Sequence, residues 1–164
     1  MNKQITAHKN KLVISWNYAL GFLLILLISS NTSFAANGVN VDSSSGLALE
    51  GYDTVAYFTE GKPVKGKKEF TAEHQGNKYA FSNAAHKQTF LKSPDAYLPQ
   101  YGGFCAYAAS KNSIASVDPR AWAIHDNKLY LNYSKRINKT WLKKKVKRII
   151  DADRYWPELK KKAS

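Results

Sequence analysis

The sequence predicts an α+β domain, on three observations. Two pairs of alternating segments, Glu69–His74 with Lys78–Ser82 and Trp122–His125 with Lys128–Asn132, flank the turn-forming stretches Gln75-Gly76-Asn77 and Asp126-Asn127, the pattern of a β-hairpin. Between and after them lie segments of helical composition that open on serine or proline. The single cysteine, Cys105, allows no internal disulfide, so the fold must stand on packing.

Taken in order, the elements follow from composition. Gly51–Thr59 (GYDTVAYFT) alternates and is rich in Val, Tyr and Phe, which predicts a strand or a strand preceded by a turn. Gly61–Lys68 is a turn-rich loop before the first hairpin. Ser82 is placed to cap a helix over Ala84–Leu91, with Ala85, His86 and Phe90 close on one side. Pro94 starts another helical turn, carrying Tyr97, Tyr101 and Phe104 until Gly102-Gly103 breaks it. Asp118-Pro119 opens a short turn before the second hairpin. From Ser134 the pattern is helical, with Leu142, Val146, Ile149 and Ile150 at helical spacing, and Pro157 stops or kinks it. No internal repeat is evident. The expected organisation is a leader over 1–35, a flexible lead-in over 36–50, a core domain over 51–134, and a basic C-terminal helix over 135–164 packing on that core.

The leader is expected from its order. Lys3, Lys9 and Lys11 precede the apolar run Ala19–Ser30, and Ser33-Phe34-Ala35 presents small residues at the −3 and −1 positions of a cleavage site. That is the signature of a secretory signal peptide, and it predicts a periplasmic or secreted protein. Charge is uneven beyond it. Ala36–Ser134 carries ten Lys/Arg against nine Asp/Glu, whereas Lys135–Ser164 carries twelve against three. An exported protein is not expected to meet nucleic acid, so the basic segment suits an anionic membrane surface, an acidic protein or simple solvation.

Several blocks in order, GYDTVAYF, EFTAEHQGNKYAFSNAAHKQTFLKSPDAYLPQYGGFCAY, DPRAW and KLYLN, resemble the YHS-domain family, and in particular its exported single-domain branch. Related YHS domains occur in metal-handling proteins, including copper-transporting ATPases and multicomponent monooxygenases. The resemblance implies an association with transition metal, copper by analogy. The metal-handling versions carry an Asp-Pro-Val-Cys start and a Cys-x3-Cys pair entering a helix. This chain departs at each thiol: Ala56 stands at the first, and Ser82 and His86 keep the spacing of the pair without its sulfurs. The cysteine-type metal site is therefore not carried over.

Three functional readings remain. In the first, a non-catalytic binding protein holds copper or zinc through Cys105 and His86, with Asp53 completing the site; His74 and His125 are weaker candidates. Thiolate and imidazole suit these metals, but the pair requires the Gly-Gly bend to fold Cys105 back on the helix. In the second, an aromatic pocket and the basic helix engage a protein or lipid, and Cys105 is a buried structural thiol. In the third, Cys105 and His86 act as a thiolate–imidazole pair in an enzyme, although no third member is recognisable.

Overall fold

The structure, a computed structural model, describes residues 37–164; the expected leader lies outside the described residues. The fold is α+β. A 3-10 turn at Leu49–Gly51 leads into α1 (Ala56–Thr59). The hairpin β1 (Lys67–His74) and β2 (Asn77–Phe81) follows, then α2 (Ala84–Lys92) and 3-10 turns at Pro94–Ala96 and Gln100–Gly103. After α3 (Ala106–Ala109) come the second hairpin, β3 (Asp118–His125) and β4 (Lys128–Asn132), and the helices α4 (Lys135–Leu142) and α5 (Lys145–Lys162). Each hairpin is a separate two-stranded antiparallel sheet.

Both hairpins close as their sequences predict. Gln75-Gly76 and Asp126-Asn127 have positive φ at both central positions, the backbone of a two-residue turn whose twist matches its strands. The segment Gly51–Thr59 does not form the expected strand. Asp53 Oδ1 accepts from the backbone amides of Val55 and Ala56 at 2.9 and 3.2 Å, satisfying donors that a first helical turn leaves unpaired. The residues beyond it therefore coil into α1.

Two other local expectations are corrected. The cap of α2 is Asn83, whose side chain accepts from the His86 amide at 2.8 Å, because the Ser82 hydroxyl is engaged by Asp53 instead. The C-terminal segment is two helices, and Pro157 lies inside α5, which runs on to Lys162. The carbonyl that proline leaves without an intrahelical donor belongs to Asp153, an exposed residue, so water can satisfy it.

The chain does contain an internal structural repeat, contrary to the reading of the sequence. Leu49, Glu50 and Gly51 have positive φ, and so do Tyr101, Gly102 and Gly103. Each trio is followed two residues later by a buried polar or thiol side chain, Asp53 or Cys105, and then by a short helix. The hairpins match residue for residue: Lys67 faces Phe81 as Asp118 faces Asn132, with a register shift before Thr71 and before Trp122. The helices after them are capped alike, by Asn83 on the His86 amide and by Ser134 on the Ile137 amide. Tyr79 packs on Phe90 with centroids 5.2 Å apart and planes at 36°, and Tyr130 packs on Trp141 at 5.0 Å and 33°. Two half-units thus share one construction, and α5 is added to the second.

Each half has its own buried cluster, and a third joins them. Ala48, Val55, Tyr79, Phe81 and Phe90 form the first. Tyr101, Ala106, Ala109, Tyr130 and Trp141 form the second, with Ala152 and Leu159 of α5. Leu49 and Tyr57 from the first half meet Cys105, Val117, Leu129 and Leu131 from the second, and the Tyr57 hydroxyl donates to the Pro119 carbonyl at 2.9 Å. The lead-in, expected to be flexible, is bonded to the domain. The Asn40 amide donates to the Gly102 carbonyl at 2.8 Å, and the Leu49 amide donates to the Asn40 carbonyl at 3.0 Å.

Candidate functional site

The Asp53–His86 pair is built where α1, β2 and α2 converge. Asp53 is fully buried, and an unpaired carboxylate there would cost several kcal/mol. Five donors surround it. Val55 and Ala56 amides reach Oδ1, while the Ser82 amide (2.8 Å), the Ser82 hydroxyl (2.7 Å) and His86 Nδ1 (2.6 Å) reach Oδ2. A carboxylate offers about four lone-pair directions, so Asp53 is saturated. It is a holder of His86 and not a free metal ligand.

That bond fixes the imidazole. A carboxylate oxygen accepts, so Nδ1 carries a proton, and Nε2, which points away from Asp53, is the nitrogen whose lone pair a neutral ring offers. Nε2 lies 3.2 Å from the Thr59 hydroxyl and 3.9 Å from Glu60 Oε1. The Thr59 hydroxyl also lies 3.1 Å from the Val55 carbonyl, and its one proton serves only one of the two acceptors. The His86 side chain is 13% exposed and that of Glu60 33%, so Nε2 sits at a narrow opening to solvent. The hydroxyl of buried Thr54, next to Asp53, has no hydrogen-bond partner among the described residues.

Cys105 is placed differently. It is 2% exposed and occupies, in the second half-unit, the position Asp53 holds in the first. Its Sγ accepts from the Tyr133 amide at 3.3 Å and donates to Asn132 Oδ1 at 3.7 Å. Asn132, fully buried, also accepts from the Tyr107 amide and donates to Asn138 Oδ1. The second half-unit has Ile137 where the first has His86, so no imidazole faces the thiol. Among the described residues, the thiol is bonded to Asn132 and Tyr133 and the imidazole to Asp53, Ser82 and Thr59, with no partner in common. Among the described residues, no group of three or more His, Cys, Asp and Glu side chains is placed to hold a metal ion.

The weaker candidates end the two β1 and β3 strands. His74 lies 3.3 Å from Asp95 and edge-on to Phe90, and His125 lies 3.5 Å from Asp126; each is paired near the surface and stands apart from His86. The sequence reading missed Thr59 and Glu60 beside Nε2 and Asn132 beside Cys105. The signal for the first two was their position one helical turn beyond Asp53-Thr54-Val55-Ala56, visible only once that segment is read as a helix. No family model, curated protein or solved structure matches this chain.

Proposed function

We propose that this chain is an exported, non-catalytic binding protein of YHS type whose ligand is a transition-metal ion, copper or zinc, taken at His86 Nε2 and the Glu60 carboxylate. One observation carries the reading: a buried, saturated carboxylate holds Nδ1 and leaves Nε2 turned toward a second carboxylate at an opening. Metal-binding histidines commonly donate their other ring nitrogen to a carboxylate in this way, which fixes the tautomer and raises the basicity of the ligating nitrogen. Imidazole and carboxylate donors suit Zn(II) and Cu(II), whereas Cu(I) favours sulfur. The resemblance to YHS domains supports the same place. The positions of the missing thiols, Ala56, Ser82 and His86, all donate to Asp53.

A site with two protein donors keeps open positions for water or for a donor from a partner. That favours exchangeable capture over permanent holding, and it accords with a carrier or sensor better than with a structural metal. Native mass spectrometry of the chain from Ala36 with Zn(II) and Cu(II) tests the reading. One ion per chain, with affinity reduced in Glu60→Gln and lost in His86→Ala, is expected. Absence of stoichiometric binding, or binding indifferent to both substitutions, overturns it.

A further inference from the structure

The C-terminal segment is expected to pack its apolar side on the core, but α5 carries two apolar faces. Ala152 and Leu159 are buried, and Ile149, Tyr155 and Trp156 pack against the second cluster. Val146 and Ile150, one turn apart, are instead 57% and 56% exposed, and Leu142, four residues before Val146 at the end of α4, is 42% exposed. These large aliphatic side chains are all exposed, Val146 and Ile150 one turn apart on α5 and Leu142 across the break at Lys143-Lys144, and they make a strip along the junction of the two helices. Lys139, Lys143, Lys144 and Lys147 around the strip are all exposed. Among the described residues, only Lys147 of these is paired, with Asp151 at 2.7 Å. Arg148 is turned inward, over the Tyr107 ring and onto the Thr140 carbonyl.

We propose that this junction, Leu142–Val146–Ile150 with its lysines, is a docking surface for an anionic lipid membrane. Charge and size select that occupant. The segment from Lys135 carries twelve Lys/Arg against three Asp/Glu, and clustered lysines are attracted to anionic headgroups through contributions that accumulate per side chain. A stable protein–protein interface needs roughly 800 Å² on each partner, more than a single strip of three side chains supplies. A membrane surface needs only a few aliphatic side chains below the headgroups with cationic side chains beside them, the arrangement of an interfacial amphipathic helix. Lysine stems can extend along the apolar strip while their ammonium groups reach headgroup phosphates. Among the described residues, no helix is long and apolar enough to cross a membrane, so the contact is one of lying on the surface.

Vesicle co-sedimentation tests the proposal on the chain from Ala36, whose residues from 37 on contain the packed clusters described above. Vesicles of phosphatidylglycerol with phosphatidylcholine are expected to retain the protein at low salt, less at high salt, and vesicles of phosphatidylcholine alone are not. Removing Lys143 and Lys144 as alanines is expected to weaken retention by about fivefold per lysine. The triple variant Leu142→Ser, Val146→Ser and Ile150→Ser is expected to weaken it by about tenfold or more. These positions are exposed, and circular dichroism checks that the variants stay folded. In Val146→Trp, the new indole is expected to shift its emission to the blue on lipid addition. Retention unchanged by the triple variant, absence of retention on phosphatidylglycerol, or equal strip-dependent retention on immobilised polyaspartate without lipid overturns the proposal; the last outcome assigns the face to an acidic protein.

Discussion

Asp53 and Cys105 stand at equivalent positions of two like-built half-units, each accepting a backbone amide from the residue after its hairpin. The Ser82 amide reaches Asp53 Oδ2 at 2.8 Å, and the Tyr133 amide reaches Cys105 Sγ at 3.3 Å. Two residues that the sequence invites one to join in a single site are therefore counterparts. Chemistry separates them further: the first half-unit sets an imidazole against its buried acid, and the second sets isoleucine and asparagine beside its thiol.

Stability should follow this difference. Asp53→Asn replaces an acceptor with an amide group turned toward five donors, and is expected to cost about 3 kcal/mol or more. Cys105→Ala removes one weak acceptor and a small volume, and is expected to cost about 1–2 kcal/mol. Urea unfolding midpoints give the order directly, and a larger loss in Cys105→Ala would reverse the account.

The thiol is expected to be inert in the folded protein. Burial at 2% exposure and engagement with Asn132 and Tyr133 predict that Cys105 reacts with a disulfide reagent only at the rate of unfolding. Fast labelling under native conditions would contradict the placement and revive a reactive-cysteine reading.

Alkaline pH should unfold the domain through its tyrosines. Burial raises Tyr79 and Tyr130 from 10.0 to about 12, and raises Tyr57 and Tyr101 further, the last with help from its hydrogen bond to Asp153. A phenol whose folded pKa is raised contributes stability that is whole below pH 10 and is lost as pH climbs through about 12. Tyrosinate absorbance is expected to rise in two stages, exposed rings first and these four with the loss of circular dichroism. Ionisation of Tyr57, Tyr79, Tyr101 and Tyr130 near pH 10 with the fold intact would contradict it.

Two substitutions test local constraints in opposite directions. Gly102 has φ +58°, and a Cβ there would lie 1.8 Å from the Gly38 carbonyl oxygen. Gly102→Ala is expected to cost about 2 kcal/mol or more and to expose the segment 37–41 to proteolysis. Thr54→Val removes a buried hydroxyl with no partner among the described residues at nearly constant volume, and is expected to stabilise by about 1 kcal/mol. Unchanged cleavage in the first, or destabilisation by the second, would show the packing there to be different.

Much of the fold was legible because it is locally encoded. The hairpins rest on alternation and on turn pairs, and Ser134 caps α4 as its place in the chain suggests. What stayed hidden depended on distant partners. The Asp53 side chain decides that Gly51–Thr59 coils, and Ser82 is drawn from capping α2 by a residue far behind it in the chain. The repeat left only faint traces, such as Thr89-Phe90-Leu91-Lys92 beside Thr140-Trp141-Leu142-Lys143 and His74 beside His125, because burial at a position constrains size and polarity more than identity. Of the candidate site, His86 and Asp53 were found, but the partners at Nε2 required α1 to exist.

The nitrogen proposed to take the metal, His86 Nε2, belongs to the first half-unit, and its counterpart in the second is Ile137. Calorimetric titration of Zn(II) into the wild type, His86→Ala and Cys105→Ala tests it most directly. The account predicts binding in the wild type, affinity within about twofold of it in Cys105→Ala, and a loss of about a hundredfold or more in His86→Ala. Loss of binding in Cys105→Ala with retention in His86→Ala would contradict it.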